Sequence, residues 1–145
     1  MSHPRSGLVL DLEPGKVREF ARAVHADLDD LAGRDGDLTI PATFLTTTNF
    51  AEEAEAIADE LGFDLDRMLH AEQEYDFHGA PPSAGTRLWA ASRIEGRFEK
   101  KGRRGGLMHF AVRVTEFRDA AGDLVATARM TAVETQAPEP AGARS

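Results

Sequence analysis

Hydrophobic and polar residues alternate along four segments in the second half of the chain, which is the pattern of β-strands. The first segment, residues 68–78, ends at a turn that contains glycine and two prolines. One side of this predicted strand carries Leu69, Ala71, Gln73, Tyr75 and Phe77. Three further strands are predicted at residues 86–101, 107–119 and 124–135, and the short glycine-containing connections between them favour hairpins.

The first half of the chain predicts a short strand, a helix and an acidic loop. The strand covers residues 7–13, and Pro14-Gly15 then turns the chain into the segment 16–28. In that segment Val17, Phe20, Ala21 and Val24 recur at helical spacing, so they are expected to pack inward. Residues 27–39 show no sustained period and are predicted to form a loop with at most one helical turn.

The strongest helical pattern runs from about Phe50 to Leu61, with an extension back to Thr43, and Gly62 stands where a C-cap belongs. Its predicted buried face consists of Phe50, Ala54, Ile57, Ala58 and Leu61. A sheet and one long apolar helix pack efficiently when the sheet wraps around the helix. The prediction is an α+β fold with a curved antiparallel sheet of about five strands around one long central helix.

The chain is predicted to form a single domain over residues 7–136, preceded by a flexible N-terminus at 1–6 and followed by a disordered tail at 137–145. Such a sheet leaves an edge that pairing with a second copy would cover, so we expect dimerisation.

Composition excludes several classes of protein. With 41% hydrophobic and 29% charged residues, the sequence is that of a globular domain, and no apolar run reaches the length of about 20 residues that a membrane span needs. No secretory signal is recognisable, so a cytoplasmic location is expected. The absence of cysteine excludes disulfides, thiolate nucleophiles and cysteine-based metal sites. A net charge of −8 argues against nucleic-acid binding.

Five segments together resemble a known family. They are KVREFARAV, IPATF, MLHAEQEYDFHGAPPSAGTRL, KKGRRGGLMHFAVRVTEF and AGDLVATARMTAVET, which stand in the family's order, and the resemblance covers about residues 7–135. The sequence resembles the hot-dog fold and, within it, the N-terminal-type domain of MaoC-like dehydratases, also called the FAS1-like dehydratase domain. The resemblance implies fatty acid metabolism: addition or removal of water across the 2,3 bond of acyl thioesters carried on CoA or acyl carrier protein, without a cofactor.

Catalytic members of this family carry an Asp-x-Asn-Pro-x-His pattern after the first helix, and this sequence departs from it. Residues 24–37 read VHADLDDLAGRDGD, with no Asn-Pro and no histidine after Asp27. An acid/base pair must reach one water, so loss of the histidine is expected to abolish the standard mechanism. The resemblance then implies a subunit without its own catalytic dyad, which pairs with a MaoC-like catalytic subunit and completes the acyl-chain tunnel.

Two interpretations remain for the residues that follow the first helix. His25, Asp27, Asp29 and Asp30 form either a relocated acid/base set or an exposed acidic loop with an incidental histidine. The alternative function is accordingly a homodimeric acyl-thioester binding protein or a hydratase with relocated catalytic groups. His70 and His78 bracket a strand and share no adjacent carboxylate at metal-ligand spacing, so no metal site is predicted, and His109 is interpreted as a strand residue.

Substrate-binding candidates lie at two places. Backbone N–H groups near Thr43 and Phe44 would polarise the thioester carbonyl, as the resemblance implies. One turn is basic although the net charge of the chain is negative, and it contains Arg93, Arg97, Lys100, Lys101, Arg103 and Arg104. One interpretation is that these charges protect a hairpin edge from pairing with another strand. The other is that Arg97, Lys100, Lys101, Arg103 and Arg104 attract the phosphates of CoA or the acidic surface of a carrier protein.

Overall fold

The computed structural model describes residues 7–33 and 35–138, except for the side chain of Phe50. The expected segments 1–6 and 139–145 therefore lie outside the described residues, as does Arg34. The helices are α1 (Pro14–Ala23), α2 (Thr48–Ala51) and α3 (Ala54–Leu61), with 3₁₀ turns at Phe44–Thr47 and Leu65–Arg67. The strands are β1 (Leu8–Asp11), β2 (Met68–Phe77), β3 (Arg87–Lys101), β4 (Leu107–Arg118) and β5 (Leu124–Glu134).

The five strands form one curled antiparallel sheet in the order β1-β3-β4-β5-β2. The hairpin of β3 and β4 and the hairpin of β4 and β5 make its centre, while β1 and β2 are the two edges. All four long strands begin and end within one residue of the predicted positions. The predicted fold class, a curved sheet of about five antiparallel strands with helical segments, is confirmed.

The helical segments cover one face of the sheet, which we call the concave face. Phe44 and Leu45 of the 3₁₀ turn pack with Leu88, Phe117 and Ala126 in the main core cluster. A second cluster joins Ile57 and Leu61 of α3 to the inward side chains of β4 and β5, Ala111 and Ala132. Burial of these apolar side chains is the main source of stability for such a layer arrangement. None of the described helices is long and apolar enough to cross a membrane.

The predicted long helix is interrupted, which corrects the sequence interpretation. Phe44–Thr47 is a 3₁₀ turn, α2 ends at Ala51, and Glu52 adopts an extended conformation with φ −110° and ψ 138° before α3 begins. Thr46, Thr47, Thr48 and Asn49 are poor helix formers, whereas residues 51–61 favour helix. Within the favourable part, the extended Glu52 places its carboxylate on Arg113, so a tertiary contact overrides the local preference there.

The predicted inward-facing residues of this region need one further correction. Ile57, Ala58 and Leu61 are buried as predicted, but Ala54 is exposed because it begins α3 immediately after the interruption. The side chain of Phe50 lies outside the described residues. In α1, Val17 and Ala21 are buried, but Val24 is exposed because the helix ends at Ala23.

Strand β2 does not keep one inward face along its whole length. A bulge between His70 and Glu72 shifts the register against β5, so the alternation changes sides there. Tyr75 and Phe77 pack on the main core, whereas Leu69 is 58% exposed. Ala71 is exposed as well, so the five residues predicted to share one side do so only after the bulge.

Candidate functional site

His25 and Asp27 lie just after α1, where catalytic relatives would carry their acid/base pattern. The His25 backbone has φ 56°, in the left-handed region, and its N–H donates to the Arg22 carbonyl at 3.2 Å. The Ala26 N–H reaches back to the Ala21 carbonyl at 2.8 Å. These two bonds form a Schellman motif, which satisfies carbonyl groups at a helix end. His25 is therefore a helix-capping residue.

The end of α3 has the same arrangement with a glycine in the capping position. Gly62 has φ 71° and donates to the Asp59 carbonyl, and the Phe63 N–H reaches the Ala58 carbonyl at 2.9 Å. Glycine is the usual residue at this position because it has no Cβ to clash, and histidine is one of the side chains that tolerate it. The parallel supports a backbone role for His25.

The Asp27 carboxylate is engaged in the turn that follows. Its Oδ1 accepts a hydrogen bond from the Asp29 backbone N–H at 2.9 Å, which is the bond that stabilises an Asx turn. Within residues 7–33 and 35–138, the His25 ring forms neither a hydrogen bond nor an ion pair, and both side chains are exposed. The structure thus brings His25 and Asp27 near one helix end without joining them as a dyad.

An apolar groove of about 550 Å³ lies between β1, α1 and the 3₁₀ turn. Its floor contains Phe20 and Phe44, whose rings meet edge to face with centroids 5.4 Å apart. Leu10, Ala23 and Ala51 line its walls, and Asp11, Glu13, Lys16 and Glu19 lie along its rim. The volume falls within the range of about 300–1,000 Å³ that small-molecule sites occupy. Sequence reasoning missed this groove, because separate elements form it, including α2, which contributes Ala51.

Thr43 and Phe44 stand at the start of the 3₁₀ turn beside the groove. The Phe44 N–H donates to the Pro41 carbonyl at 3.0 Å, so this backbone donor is already engaged. The Phe44 side chain is 1% exposed and belongs to the core. Thr43 is exposed, and its carbonyl accepts the Thr46 N–H at 3.1 Å. Of the two predicted donors, Phe44 is therefore not available to a substrate carbonyl in this structure.

Arg113 is a buried charged residue that sequence reasoning missed. The residue is 6% exposed, and its guanidinium donates two hydrogen bonds to Glu52 at 2.9 and 3.0 Å and a third to Glu60 at 2.9 Å. Burial by itself would lower the pKa of Arg113, but the bonds and charges of Glu52 and Glu60 outweigh burial and raise it. The sequence did offer one indication of this buried charge, because the arginine stands between two valines at an inward position of a strand.

The cavity beside Arg113 is small and polar. It measures about 160 Å³, and Thr48, Ser92 and Thr115 contribute hydroxyl groups to its lining. The Ser92 and Thr115 hydroxyls bond each other at 2.8 Å across β3 and β4. Nearby, burial raises the pKa of Tyr75. The cavity is below the size of a small-molecule site, and the Arg113 ion pairs explain its charges.

The residues of the predicted basic turn do not form one cluster. Arg93 forms an ion pair with Glu116 at 3.4 Å, away from the turn. Arg97 donates to the Leu61 carbonyl and lies over the Phe63 ring. The Lys100 ammonium lies 5.4 and 5.6 Å from the ring centroids of Phe98 and Phe110.

Lys101, Arg103 and Arg104 remain exposed at the tip of the hairpin. The tip is closed by the Gly102 N–H, which donates to the Gly106 carbonyl at 2.6 Å, and Gly105 has φ 88°. Such a φ suits glycine. Arg97 and Lys100 are exposed as well, but they contact the neighbouring carbonyl and aromatic rings, so the three tip residues are the ones for which the described part of the chain shows no such contact.

The other histidines among the described residues lie in the sheet or directly beside it. The His78 ring bonds the Thr127 hydroxyl at 2.9 Å, and the His109 ring lies 3.1 Å from a Glu99 carboxylate oxygen. His70 is exposed on β2. In the described part of the chain, no group of three or more His, Asp or Glu side chains is arranged to bind a metal ion.

Comparison with known proteins identifies the family. The sequence model of the FAS1-like dehydratase domain region matches residues 3–128, so the chain belongs to this family and the resemblance is confirmed. No curated protein matches the sequence.

Solved structures share the fold. A chain of the C-terminally truncated HadBC complex, a 3R-hydroxyacyl-ACP dehydratase from Mycobacterium tuberculosis, is 24% identical with a TM-score of 0.63, covering 92% of this chain and 99% of that one. A MaoC-like dehydratase is 25% identical with a TM-score of 0.60, and the match covers 92% of this chain but 43% of that one. The ChsH1-ChsH2 complex from Mycobacterium tuberculosis is similar at 10% identity and a TM-score of 0.61, covering 94% and 86%. The hot-dog fold is confirmed.

Proposed function

We propose that this chain is a hot-dog subunit of an enoyl or (R)-3-hydroxyacyl thioester hydratase-dehydratase, without a catalytic dyad of its own, that pairs with a MaoC-like catalytic subunit. The observation that carries the proposal is the capping role of His25 at the end of α1. Membership of the FAS1-like dehydratase family supports the reaction class. Similarity to chains of two complexes, HadBC and ChsH1-ChsH2, supports a heteromeric arrangement.

The chemistry explains why a partner is needed. Water addition requires one group that takes the proton of the water and another that delivers a proton to the substrate α-carbon. The cap at His25 is made by its backbone, its exposed imidazole bonds none of the described groups, and the Asp27 carboxylate accepts from the Asp29 N–H, so neither side chain holds the other in place to share one water. Both proton transfers are therefore assigned to the catalytic subunit, and this chain contributes to binding.

The apolar groove is the proposed contribution to the acyl-chain tunnel. Its floor of Phe20 and Phe44 suits an alkyl chain, since each buried CH₂ group contributes about 0.8 kcal/mol. On its rim Asp11 is paired with Arg87 and Glu13 with Lys16, and Glu19 adds a negative charge, so the groove has no excess of positive charge to bind the phosphates of CoA. The groove is thus assigned to the acyl chain, and Lys101, Arg103 and Arg104 at the hairpin tip to the anionic carrier.

The test is a hydration assay with crotonyl thioester and with a longer enoyl thioester. We expect little or no turnover by the purified chain, and turnover after mixing with a MaoC-like subunit that carries the Asp-x-Asn-Pro-x-His pattern. Loss of an acid or base typically lowers the rate by about 10²–10⁴-fold, which sets the sensitivity that the assay needs.

Two variants of this chain test in the same assay whether His25 or Asp27 takes part in catalysis. His25→Gly removes the imidazole and suits the left-handed backbone, so it should raise stability by about 1 kcal/mol. Asp27→Asn keeps the turn-forming acceptor and removes the charge. Neither variant should change the activity of the mixed complex. Turnover by the chain alone that either variant abolishes would overturn the proposal and restore the relocated dyad.

A second candidate is a homodimeric acyl-thioester binding protein. The apolar groove supports it as well, because a floor of Phe20 and Phe44 suits an alkyl chain whichever subunit pairs with this one. This candidate predicts thioester binding by a homodimer in the absence of any other subunit. Equilibrium binding of a long-chain thioester to the purified chain, measured together with its mass in solution, separates the two functions.

A further inference from the structure

The hairpin of β3 and β4 continues past the rest of the sheet. The last residue pair between β4 and β5 is His109 with Glu134, whereas β3 and β4 go on to pair with each other as far as Lys101 and Leu107. A turn at residues 102–106 closes the hairpin. No other described strand pairs with this outermost part, which therefore extends beyond the sheet. We call residues 98–110 the hairpin end.

Large apolar side chains are exposed on both faces of the hairpin end. Phe98 and Lys101 are three residues apart on β3, so they lie on opposite faces, and Leu107 shares the face of Lys101, its partner in the strand pair. Phe98 is 40% exposed, and its ring stacks on that of Phe110 with centroids 4.7 Å apart. Leu107 is 45% exposed. Neither face of the hairpin end is therefore covered by the rest of the described chain.

Positive charge surrounds these apolar side chains. The hairpin end carries four exposed basic residues, which are Lys100, Lys101, Arg103 and Arg104. Glu99 is the one acidic residue in this stretch of the sequence, and its carboxylate lies 3.1 Å from the His109 ring. The hairpin end therefore has a net positive charge, although the chain as a whole has a net charge of −8.

A groove of about 690 Å³ lies between the turn and the segment that follows β5. Arg103 and Arg104 line it together with Met108, Ala137 and Pro138. Guanidinium groups bind phosphate through paired hydrogen bonds, and the other three side chains offer apolar surface. The groove thus suits a ligand that has an anionic head and an apolar body.

We propose that the hairpin end docks on an anionic lipid surface, where its basic residues bind lipid phosphates and where Phe98 and Leu107 enter the headgroup region. A flat protein partner would cover one face of the hairpin and leave the other exposed, whereas a lipid surface surrounds the tip and covers both. The proposal goes beyond the proposed function, because it involves neither a thioester nor a second subunit.

The physical chemistry of lipid surfaces supports this docking. Each Lys or Arg side chain near an anionic bilayer strengthens binding by about five-fold, and partly inserted apolar side chains add to that attraction. The acidic remainder of the chain opposes binding only weakly, since charges are screened over about 8 Å at physiological ionic strength. A contact of this kind needs no segment that spans the membrane.

The test measures co-sedimentation of the full chain with lipid vesicles. One set of vesicles contains equal parts of phosphatidylglycerol and phosphatidylcholine, and the other contains phosphatidylcholine alone. We expect the wild type to bind the anionic vesicles, and to bind the neutral vesicles at least about ten-fold more weakly. Added salt should release the chain from the anionic vesicles, because it screens the attraction between the basic residues and the lipid phosphates.

A pair of charge variants tests whether the hairpin end makes the contact. Arg103→Ser/Arg104→Ser should weaken binding to the anionic vesicles by at least about ten-fold. Arg18→Ser/Arg22→Ser is the matched control, because it removes two exposed arginines from α1, and it should bind as the wild type does. Equal losses in the two variants would show that binding follows the net charge of the chain, and would overturn the proposal.

A pair of apolar variants separates lipid docking from the attraction of charge alone. Leu107→Ser should weaken binding to the anionic vesicles by at least about four-fold, which is the effect of one buried CH₂ group. Leu28→Ser is the control, because it changes a leucine of similar exposure, 42%, that follows α1. Circular dichroism and the Tm verify that each variant is folded. Unchanged vesicle binding by a folded Leu107→Ser would contradict insertion and overturn the proposal.

Two further outcomes would overturn the proposal. One is that the wild type binds neither set of vesicles, or binds both equally. The other is that it binds no vesicles but binds a purified acyl carrier protein in a manner that Leu107→Ser weakens, which would assign the surface to a protein partner. A failed hydration assay would contradict the proposed function alone, and a failure to bind vesicles would contradict this inference alone.

Discussion

The hairpin of β3 and β4 carries positive charge in two regions with opposite environments. In the middle of β4, Arg113 is buried, and its three hydrogen bonds to carboxylates connect the sheet to the interrupted helical segment. At the tip, Lys101, Arg103 and Arg104 are exposed. A buried charge is tolerated only with partners, whereas an exposed charge remains available to a ligand. The first region is therefore assigned to stability and the second to recognition.

The largest expected loss of stability comes from a substitution that introduces a charge without a partner on the same concave face. Ile57→Asp places a carboxylate against Ala111 and Ala132, next to the apolar side chain of Leu61. We expect a loss of about 4–5 kcal/mol in the free energy of unfolding, measured by urea denaturation. The neighbouring exposed residue provides the control, since Ala56→Asp should change stability by about 0.5 kcal/mol or less. Equal unfolding midpoints for Ile57→Asp and the wild type would contradict the burial of α3.

The second-largest expected loss of stability comes from removing Arg113 from its two carboxylate partners. Arg113→Ala leaves the Glu52 and Glu60 carboxylates beside the sheet without their cation, so we expect a loss of about 3 kcal/mol. This value is at the low end of the usual range, because both carboxylates remain partly accessible to solvent. Arg118→Ala, at the exposed end of the same strand, is the control and should cost about 0.5 kcal/mol or less.

A double-mutant cycle sharpens the Arg113 prediction. In a Glu52→Gln background the Arg113→Ala change should cost less, because one of the two unpaired carboxylates is then absent. Additive effects of the two changes would show that Arg113 does not stabilise the interrupted helical segment through Glu52.

The smallest expected effect on stability is at the hairpin tip. Replacing Lys101, Arg103 and Arg104 with Ser should leave the Tm almost unchanged, because these side chains are exposed. Binding of an acyl-CoA or acyl carrier protein should weaken, and the wild-type affinity should fall as salt rises, since the screening length is about 8 Å at physiological ionic strength. Lys100→Ser is a separate variant, because Lys100 packs over Phe98 and Phe110.

The control for the tip is Arg18→Ser/Arg22→Ser, which removes exposed positive charge from α1. Binding should be weakened only by the tip variant. If the tip variant and the wild type bind both carriers equally, the tip charges only protect the hairpin from pairing.

The sequence alone determined the features that depend on neighbouring residues. Alternation along residues 68–135 located the four long strands, and the turn residues located the hairpins, because both patterns arise within a few residues. Gly62 marked the end of α3 for the same reason. The departure from the family's catalytic pattern after Asp27 was also visible in the sequence, and it led to the proposed function.

Only the tertiary structure decided the features that join distant residues. Glu52 and Arg113 are 61 residues apart, and their contact interrupts a segment whose local preference is helical. The bulge in β2 depends on pairing with β5, and it determines that Glu72, Glu74 and Asp76 face outward. The groove needs β1, α1 and the 3₁₀ turn to come together. Contacts of this kind depend on packing across the whole domain, so no local pattern of residues could indicate them.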